Sequence, residues 1–219
     1  GNCRLFAQML RQGMQGAGVQ FVFNARVTSL SSQPTGIWVN GEPDMRCFDA
    51  VVVCAGAASH TLLSPRGIRL PMAPVFGYSV SAPLREATHA PLTSALDVQE
   101  QITITRQGQR VRITGGAELG SPQAAHHHAT LQKLYRTVND WFPGGAQLSG
   151  PLQIWRGARP TLTDGAPALG STALPGIWLN TGHGAGGWAL ACGCARALAD
   201  MLSQRAPEIS VQGLEAQRF

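Results

Sequence analysis

Lysine is nearly absent from this sequence. Lys133 is the only one, so the rest of the 17 basic side chains are arginine, scattered with no dense basic run. That scatter argues against nucleic-acid binding, despite a net charge of +5 and a pI near 9.3. Charge of either sign is scarce, at 13% of residues against 44% hydrophobic. A disordered chain and a charged solenoid are thereby excluded. No apolar run reaches the length that crosses a bilayer, no signal peptide is read at the start, and no internal repeat is found. The five cysteines, Cys3, Cys47, Cys54, Cys192 and Cys194, are an odd number without metal-ligand spacing. They are expected to be buried free thiols in a reducing compartment. His126-His127-His128 lacks Cys, Asp or Glu partners and reads as solvated surface at the start of a helix.

What is present in abundance is glycine, and it is concentrated where it matters. The chain is organised around Gly150–Leu202, above all around Ile177-Trp178-Leu179-Asn180-Thr181-Gly182-His183-Gly184-Ala185-Gly186-Gly187-Trp188. Gly176–Leu179 reads as a buried strand and Trp188–Leu202 as a long helix. The turn between them holds four glycines in six residues. Glycine supplies positive φ and admits a ligand to bare backbone. A helix opening straight after such a turn presents unpaired N–H groups and the positive end of its dipole. The spacing Gly182-x-Gly184-x-x-Gly187 matches the dinucleotide fingerprint. A Rossmann unit, however, needs a second strand after the helix, with an acid near its end for the ribose. Arg205–Phe219 is a polar tail without a strand, and Asp200 sits inside the helical pattern. The turn is therefore read as a ligand-facing helix start at the end of a domain.

Along the rest of the chain, Leu5–Gly16 carries Leu5, Phe6, Met9 and Leu10 at helical spacing, with Gly16 and Gly18 as punctuation. Val19–Phe23 reads as a strand, Ala25–Leu30 as an extended piece, and Ile37–Val39 as a strand before a turn at Asn40-Gly41. Phe48–Cys54 is a nearly continuous apolar run, as in a parallel strand covered on both faces. After Leu70-Pro71 the pattern changes. Val75–Ala82, Ile102–Arg106 and Arg110–Gly115 alternate or are rich in β-branched residues, with Gln107-Gly108 between the last two. Thr130–Phe142 is an amphipathic helix ended by Pro143-Gly144-Gly145, and Leu152–Arg156 is a further strand.

Asn180-Thr181-Gly182-His183-Gly184, followed by Gly187-Trp188 and Ala191-Cys192-Gly193, resembles the C-terminal flavin turn of the D-amino-acid dehydrogenase small-subunit family. Trp155-Arg156-Gly157-Ala158-Arg159-Pro160-Thr161 and Asp164-Gly165-Ala166-Pro167 are similar to that family's Arg-Pro signature, and Gly1-Asn2-Cys3-x-x-Phe6 to its Gly-Asp-Cys helix start. The resemblance covers essentially the whole chain and places it in the wider D-amino-acid oxidase and glycine oxidase group. It implies an α/β fold: a partial FAD-binding domain of Rossmann-like, glutathione-reductase type (1–72 and 157–219), lacking the N-terminal GxGxxG unit. A substrate domain of mixed, largely antiparallel sheet (73–156) interrupts it. A chain that opens on Gly1 and runs directly into a helix is then expected to be the C-terminal half of a longer enzyme.

The implied chemistry is FAD-dependent oxidative deamination of an amino acid, the D-enantiomer by family, to a 2-oxo acid and ammonia. A quinone or another acceptor would take the electrons. The implied location is cytoplasmic, with peripheral association at the inner membrane left open. Arg159 is the expected carboxylate ligand, because only arginine offers a bidentate fork and Pro160 stiffens the backbone after it; a structural ion pair is the competing reading. Arg156, three residues earlier, falls on the other face of a strand and is expected to be structural. Tyr78, in Gly77-Tyr78-Ser79, lines the amino-acid pocket or else is buried with its hydroxyl satisfied, and Phe76 stands where the family has lysine. Gly115-Gly116 lets backbone approach the pocket or ends a strand. Val27, Ala55, Gly56, Gly182, His183, Gly184, Ala185, Gly186, Gly187 and Trp188 are the expected cofactor contacts, His183 mainly through its turn's backbone. An oxygen-using glycine or sarcosine-type amine oxidase and a non-catalytic flavoprotein subunit are the alternatives.

Overall fold

A computed structural model describes residues 2–219. The elements in order are α1 (Cys3–Gly16), β1 (Val27–Ser32), β2 (Thr35–Val39), β3 (Arg46–Cys47), β4 (Val51–Val53), α2 (Ser59–Leu63) and β5 (Met72–Pro83). They continue with β6 (Ala95–Asp97), β7 (Ile102–Gln107), β8 (Arg110–Leu119), α3 (His128–Trp141), β9 (Gln153–Leu162), β10 (Ala168–Ser171), β11 (Ile177–Thr181) and α4 (Gly187–Leu202). The chain divides into two compact units, one made of residues up to Met72 plus Leu162–Phe219, the other of Ala73–Thr161.

In the first unit, α1 starts where the Asn2 side chain accepts the Leu5 N–H at 3.2 Å, and it ends ahead of Gly18, whose φ is +89°. Its apolar stripe of Leu5, Phe6, Met9, Leu10 and Met14 is exposed, and no residue of α1 is buried. Val19–Phe23, expected to be a strand, forms none: every residue is exposed and none joins a ladder. The Val19 N–H closes the end of α1 on the Met14 carbonyl instead. β-branched and aromatic composition favours a strand only where a neighbouring strand takes up the backbone N–H and C=O groups, and no described strand does so here.

β1, β2 and β3 form an antiparallel sheet, and β10, β11 and β4 a second one in which β4 runs parallel to β11. Ile177 faces Val51 and Leu179 faces Val53. These residues, with Leu30, Leu63, Leu70, Leu162 and Ala168, make one core cluster. The run expected to be a strand over Phe48–Cys54 is shortened to Val51–Val53, and Phe48 and Cys54 are exposed. Among the described residues β11 is the single partner of β4, which is paired only as far as that ladder reaches. α4 packs through Cys194, Ala197 and Leu198 against Leu169. Only Cys194 of the five cysteines is buried, which corrects the expectation of buried thiols. Cys192 is exposed because residues two apart on a helix diverge by about half a turn. Asp200 is buried between Arg196 at 3.0 Å and Arg205 at 2.9 Å. It ties the end of α4 to the tail, which contains no strand and is anchored again by Arg218 on Asp164 at 2.7 Å.

The second unit is a five-stranded sheet in the order β6-β7-β8-β5-β9, antiparallel at the β6–β7, β7–β8 and β8–β5 ladders. Alternate residues point to the covered face, so Ile102 and Ile104 of β7 and Val111 and Ile113 of β8 are buried together. α3 lays Leu131, Leu134 and Val138 on that face, the stripe its spacing predicts. Each such side chain contributes roughly 1.5–3 kcal/mol when fully buried. The β5–β8 register shifts between Phe76, opposite Glu118, and Tyr78, opposite Gly115, so β8 carries an extra residue there.

Candidate flavin and substrate residues

In the second unit the Trp-Arg-x-x-Arg-Pro run lies on β9, next to β5. An extended backbone sends residues three apart to opposite faces. Arg156 accordingly stacks on the Phe76 ring at 3.7 Å and donates from Nη1 to the Ser121 carbonyl at 3.1 Å. Its side chain is only 6% exposed, its Nε has no hydrogen-bond partner, and the nearest Glu118 oxygen is 3.8 Å away. Arg159 is half-buried, and its Nη1 donates to the Gly116 carbonyl at 2.8 Å. Among the described residues it has no carboxylate partner and no other side-chain hydrogen bond. Burial lowers its pKa, reflecting a desolvation cost that a bound anion would offset. A guanidinium with one of five donors used, and that one on a backbone carbonyl, is a fork open to a carboxylate.

Tyr78 is 1% exposed. Its hydroxyl donates to Glu118 Oε2 at 2.9 Å and accepts the His127 N–H at 2.8 Å. Thr130 donates to the other Glu118 oxygen at 2.6 Å, and His127 Nδ1 stands 3.6 Å from it. Burial by itself raises the Glu118 pKa; the two hydroxyl donors and the charges of His127 and Arg156 outweigh it and hold the carboxyl below its ordinary range. Sequence reasoning misses Glu118. An acid three residues after Gly115 at a strand end is a faint signal, and its partners come from other elements.

In the first unit, β11 ends in Thr181 and the chain turns through Gly182 (φ +79°) and Gly184 (φ +52°) into a short 3-10 turn, Gly184–Gly186, and then α4. A Cβ on Gly182 would lie 2.8 Å from Cγ of Leu162 and closer still to one of its methyls. Thr181 shares a hydrogen bond of 3.0 Å with Ser59 and donates to the Gly56 carbonyl at 3.4 Å. The Ala55-Gly56 turn is thereby brought to the glycine turn. Val27 and Ala55 together line a cavity of about 520 Å³, and the residues from Gly182 to Trp188 are not in its wall. His183 Nε2 and Asn180 Oδ1 are buried without a hydrogen-bond partner. Buried polar atoms are normally paired, so two orphans beside one turn point to a missing partner. Burial pushes the His183 imidazole below the ordinary histidine range, favouring its neutral form near pH 7. Ala185 and Gly186 are exposed, and Trp188 is 53% exposed with its ring edge-to-face on Phe6 at 5.4 Å. Among the described residues there is no His, Cys, Asp or Glu cluster suited to a metal, and no helix long and apolar enough to cross a membrane.

Residues 1–201 match the family model described as FAD dependent oxidoreductase. A D-amino acid dehydrogenase of Bradyrhizobium diazoefficiens is 37% identical over 222 residues, covering 100% of this chain and 52% of its own length. One from Cereibacter sphaeroides is 40% identical over 224 residues, covering 100% and 50%. The chain spans about half the length of the curated relatives it matches. Among solved structures, glycine oxidase from Geobacillus kaustophilus has a TM-score of 0.77 at 21% identity, over 93% of this chain and 54% of that one. L-proline dehydrogenase from P. horikoshii has a TM-score of 0.79 at 17% identity, over 94% and 56%. At such identities these two establish the fold alone, which is the mixed α/β arrangement expected.

Proposed function

The chain belongs to the FAD dependent oxidoreductase family, and from that premise we propose that it carries the carboxylate clamp and the flavin-facing turn of an amino-acid dehydrogenase. The reaction is oxidative deamination of a D-amino acid to a 2-oxo acid and ammonia, with a quinone or another acceptor taking the electrons. The names of the two relatives support the substrate class and favour such an acceptor over oxygen. In this reading the unit of residues up to Met72 plus Leu162–Phe219 serves the cofactor, and Ala73–Thr161, which holds Arg159, serves the substrate. The enzyme works in the cytoplasm, with the inner membrane as the site of any peripheral attachment.

The observation that carries the proposal is Arg159: half-buried, steadied by one backbone carbonyl and unpaired with any carboxylate among the described residues. A substrate α-carboxylate completes it, and the fork then fixes the orientation of the α-carbon. The turn residues fit FAD, because the orphaned His183 Nε2 and Asn180 Oδ1 need a polar partner and the glycines leave backbone bare. Gly182, His183, Gly184, Ala185, Gly186, Gly187 and Trp188 would hold it on that side, and Val27, Ala55 and Gly56 near the cavity wall. Bound there, FAD supplies the hydride acceptor. The neutral His183 side chain adds a hydrogen-bonding atom without adding charge.

Arg159→Lys in the full-length protein keeps the charge and loses the fork. Losing a desolvated charge-assisted pair costs on the order of 2–5 kcal/mol, tens- to thousands-fold in affinity. The kcat/KM for an amino acid should fall by such a factor relative to that for its decarboxylated amine, followed by flavin reduction. Equal losses on both substrates would move Arg159 to a structural role.

A further inference from the structure

Gly77 sits in β5 directly beneath the Arg159 guanidinium. A Cβ built on Gly77 would lie 2.5 Å from Nη1 and overlap Nη2 and Cζ, so no side chain other than hydrogen leaves the group where it is. The backbone itself makes no such demand, since Gly77 is not among the positive-φ residues. The neighbour that would have to move is the far end of a flexible side chain, not a strand. On the adjacent strand, Gly116 does have φ +83°, and it stands in the bulge where Gly77 of β5 faces two residues of β8, Gly116 and Ala117. The bulge carries the carbonyl that accepts Arg159 Nη1 at 2.8 Å. Phe76, one residue before Gly77, supports Arg156 on the opposite face. Consecutive residues of β5 thus serve two arginines: an aromatic ring holds the structural one, and a bare Cα accommodates the open one.

We propose that Gly77 is a positioning residue for substrate carboxylate binding: its missing side chain is the floor on which the Arg159 fork lies flat, while the Gly116 bulge supplies the carbonyl that sets the fork's angle. The inference rests on the reading of Arg159 as the carboxylate ligand. Neither glycine touches substrate; both act through the guanidinium. A Cβ at 77 lifts the fork off its floor and pulls Nη1 away from the Gly116 oxygen. The charge remains nearby, but the two parallel N–H donors no longer face a carboxylate together.

The test compares Gly77→Ala, Arg159→Lys and the double variant in the full-length flavoenzyme, on an amino acid and its decarboxylated amine. Gly77→Ala should raise KM for the amino acid by about tenfold or more while changing kcat far less, lowering the amino-acid-to-amine ratio of kcat/KM. The double variant should lose little beyond Arg159→Lys alone, because both changes disable one fork. If Arg159→Lys lowers that ratio and Gly77→Ala does not, the floor is wrong and the carboxylate reading stands. If Arg159→Lys leaves the ratio unchanged, the reading beneath the proposal fails. Should Gly77→Ala not fold, Gly77→Ala in an Arg159→Ala background decides the matter. With the guanidinium gone, the added methyl should be tolerated and the melting temperature should match that of Arg159→Ala. Continued failure to fold there overturns the proposal.

Discussion

Glu118 accepts hydrogen bonds from Tyr78 of β5 and Thr130 of α3, and the His127 imidazole just ahead of α3 stands 3.6 Å away as a charge partner when protonated. Burial opposes its charge, and these partners with Arg156 more than restore it, so its folded pKa lies below the ordinary value. The unfolded chain takes up this proton near pH ~4.3, whereas the folded chain resists it to lower pH. Stability from Glu118 is therefore complete above about pH 4.3 and is lost as pH falls through the folded value. Glu118→Gln should flatten the acid limb of the melting temperature against pH; parallel acid limbs in wild type and variant would contradict this. Tyr78→Phe removes one hydroxyl that both donates to Glu118 and accepts the His127 N–H. Leaving such groups unpaired costs about 1–3 kcal/mol, readable by denaturant unfolding. A Tyr78 that contacts substrate directly would show a rise in KM beyond that loss of stability.

At the scale of elements, the turn from β11 to α4 separates backbone demand from ligand demand. Gly184 has φ +52°, so valine there strains the chain itself. Gly186 has an ordinary helical φ of −83°, and a Cβ on it would meet only Leu190, at 3.4 Å. Gly186→Val is thus the cleaner probe. The full-length protein should keep its melting temperature without added flavin yet lose flavin or shift its absorption band. Flavin content and spectrum identical to wild type would place the cofactor elsewhere. In the same unit, Thr181 at the end of β11 bonds to Ser59 at the start of α2 and to the Gly56 carbonyl in the loop after β4, so Ala55-Gly56 and Gly182 are positioned as one piece.

At the scale of the whole molecule, the 219 residues hold the glycine turn ahead of α4 and a cavity flanked by Val27 and Ala55. The described residues contain no strand–glycine turn–helix followed by a further strand of the kind that grips a dinucleotide diphosphate. The chain by itself should therefore bind FAD weakly. Purified, mixed with FAD and desalted, it should emerge colourless, and stoichiometric yellow protein would refute the expectation.

Elements whose signal is local can be read straight from the amino-acid order. α1, α3 and α4 follow from apolar spacing, with an Asn2 cap at α1, and the hairpin of β7 and β8 from alternation on either side of Gln107-Gly108. Arg159 and the glycine turn stand out in the same way, because an arginine followed by a stiffening proline and four clustered glycines are local features of the sequence. Folding in three dimensions decided the rest. Val19–Phe23 has strand composition but no partner strand among the described residues, and β4 is three residues long, as is its ladder with β11. Cys192 is exposed and Cys194 buried according to which side of α4 meets Leu169. Arg159 is held by a carbonyl 43 positions away, and Gly77 matters only because that guanidinium lies over it. Periodicity is written along the chain, whereas pairing, burial and the floor beneath a side chain exist only between segments that folding brings together.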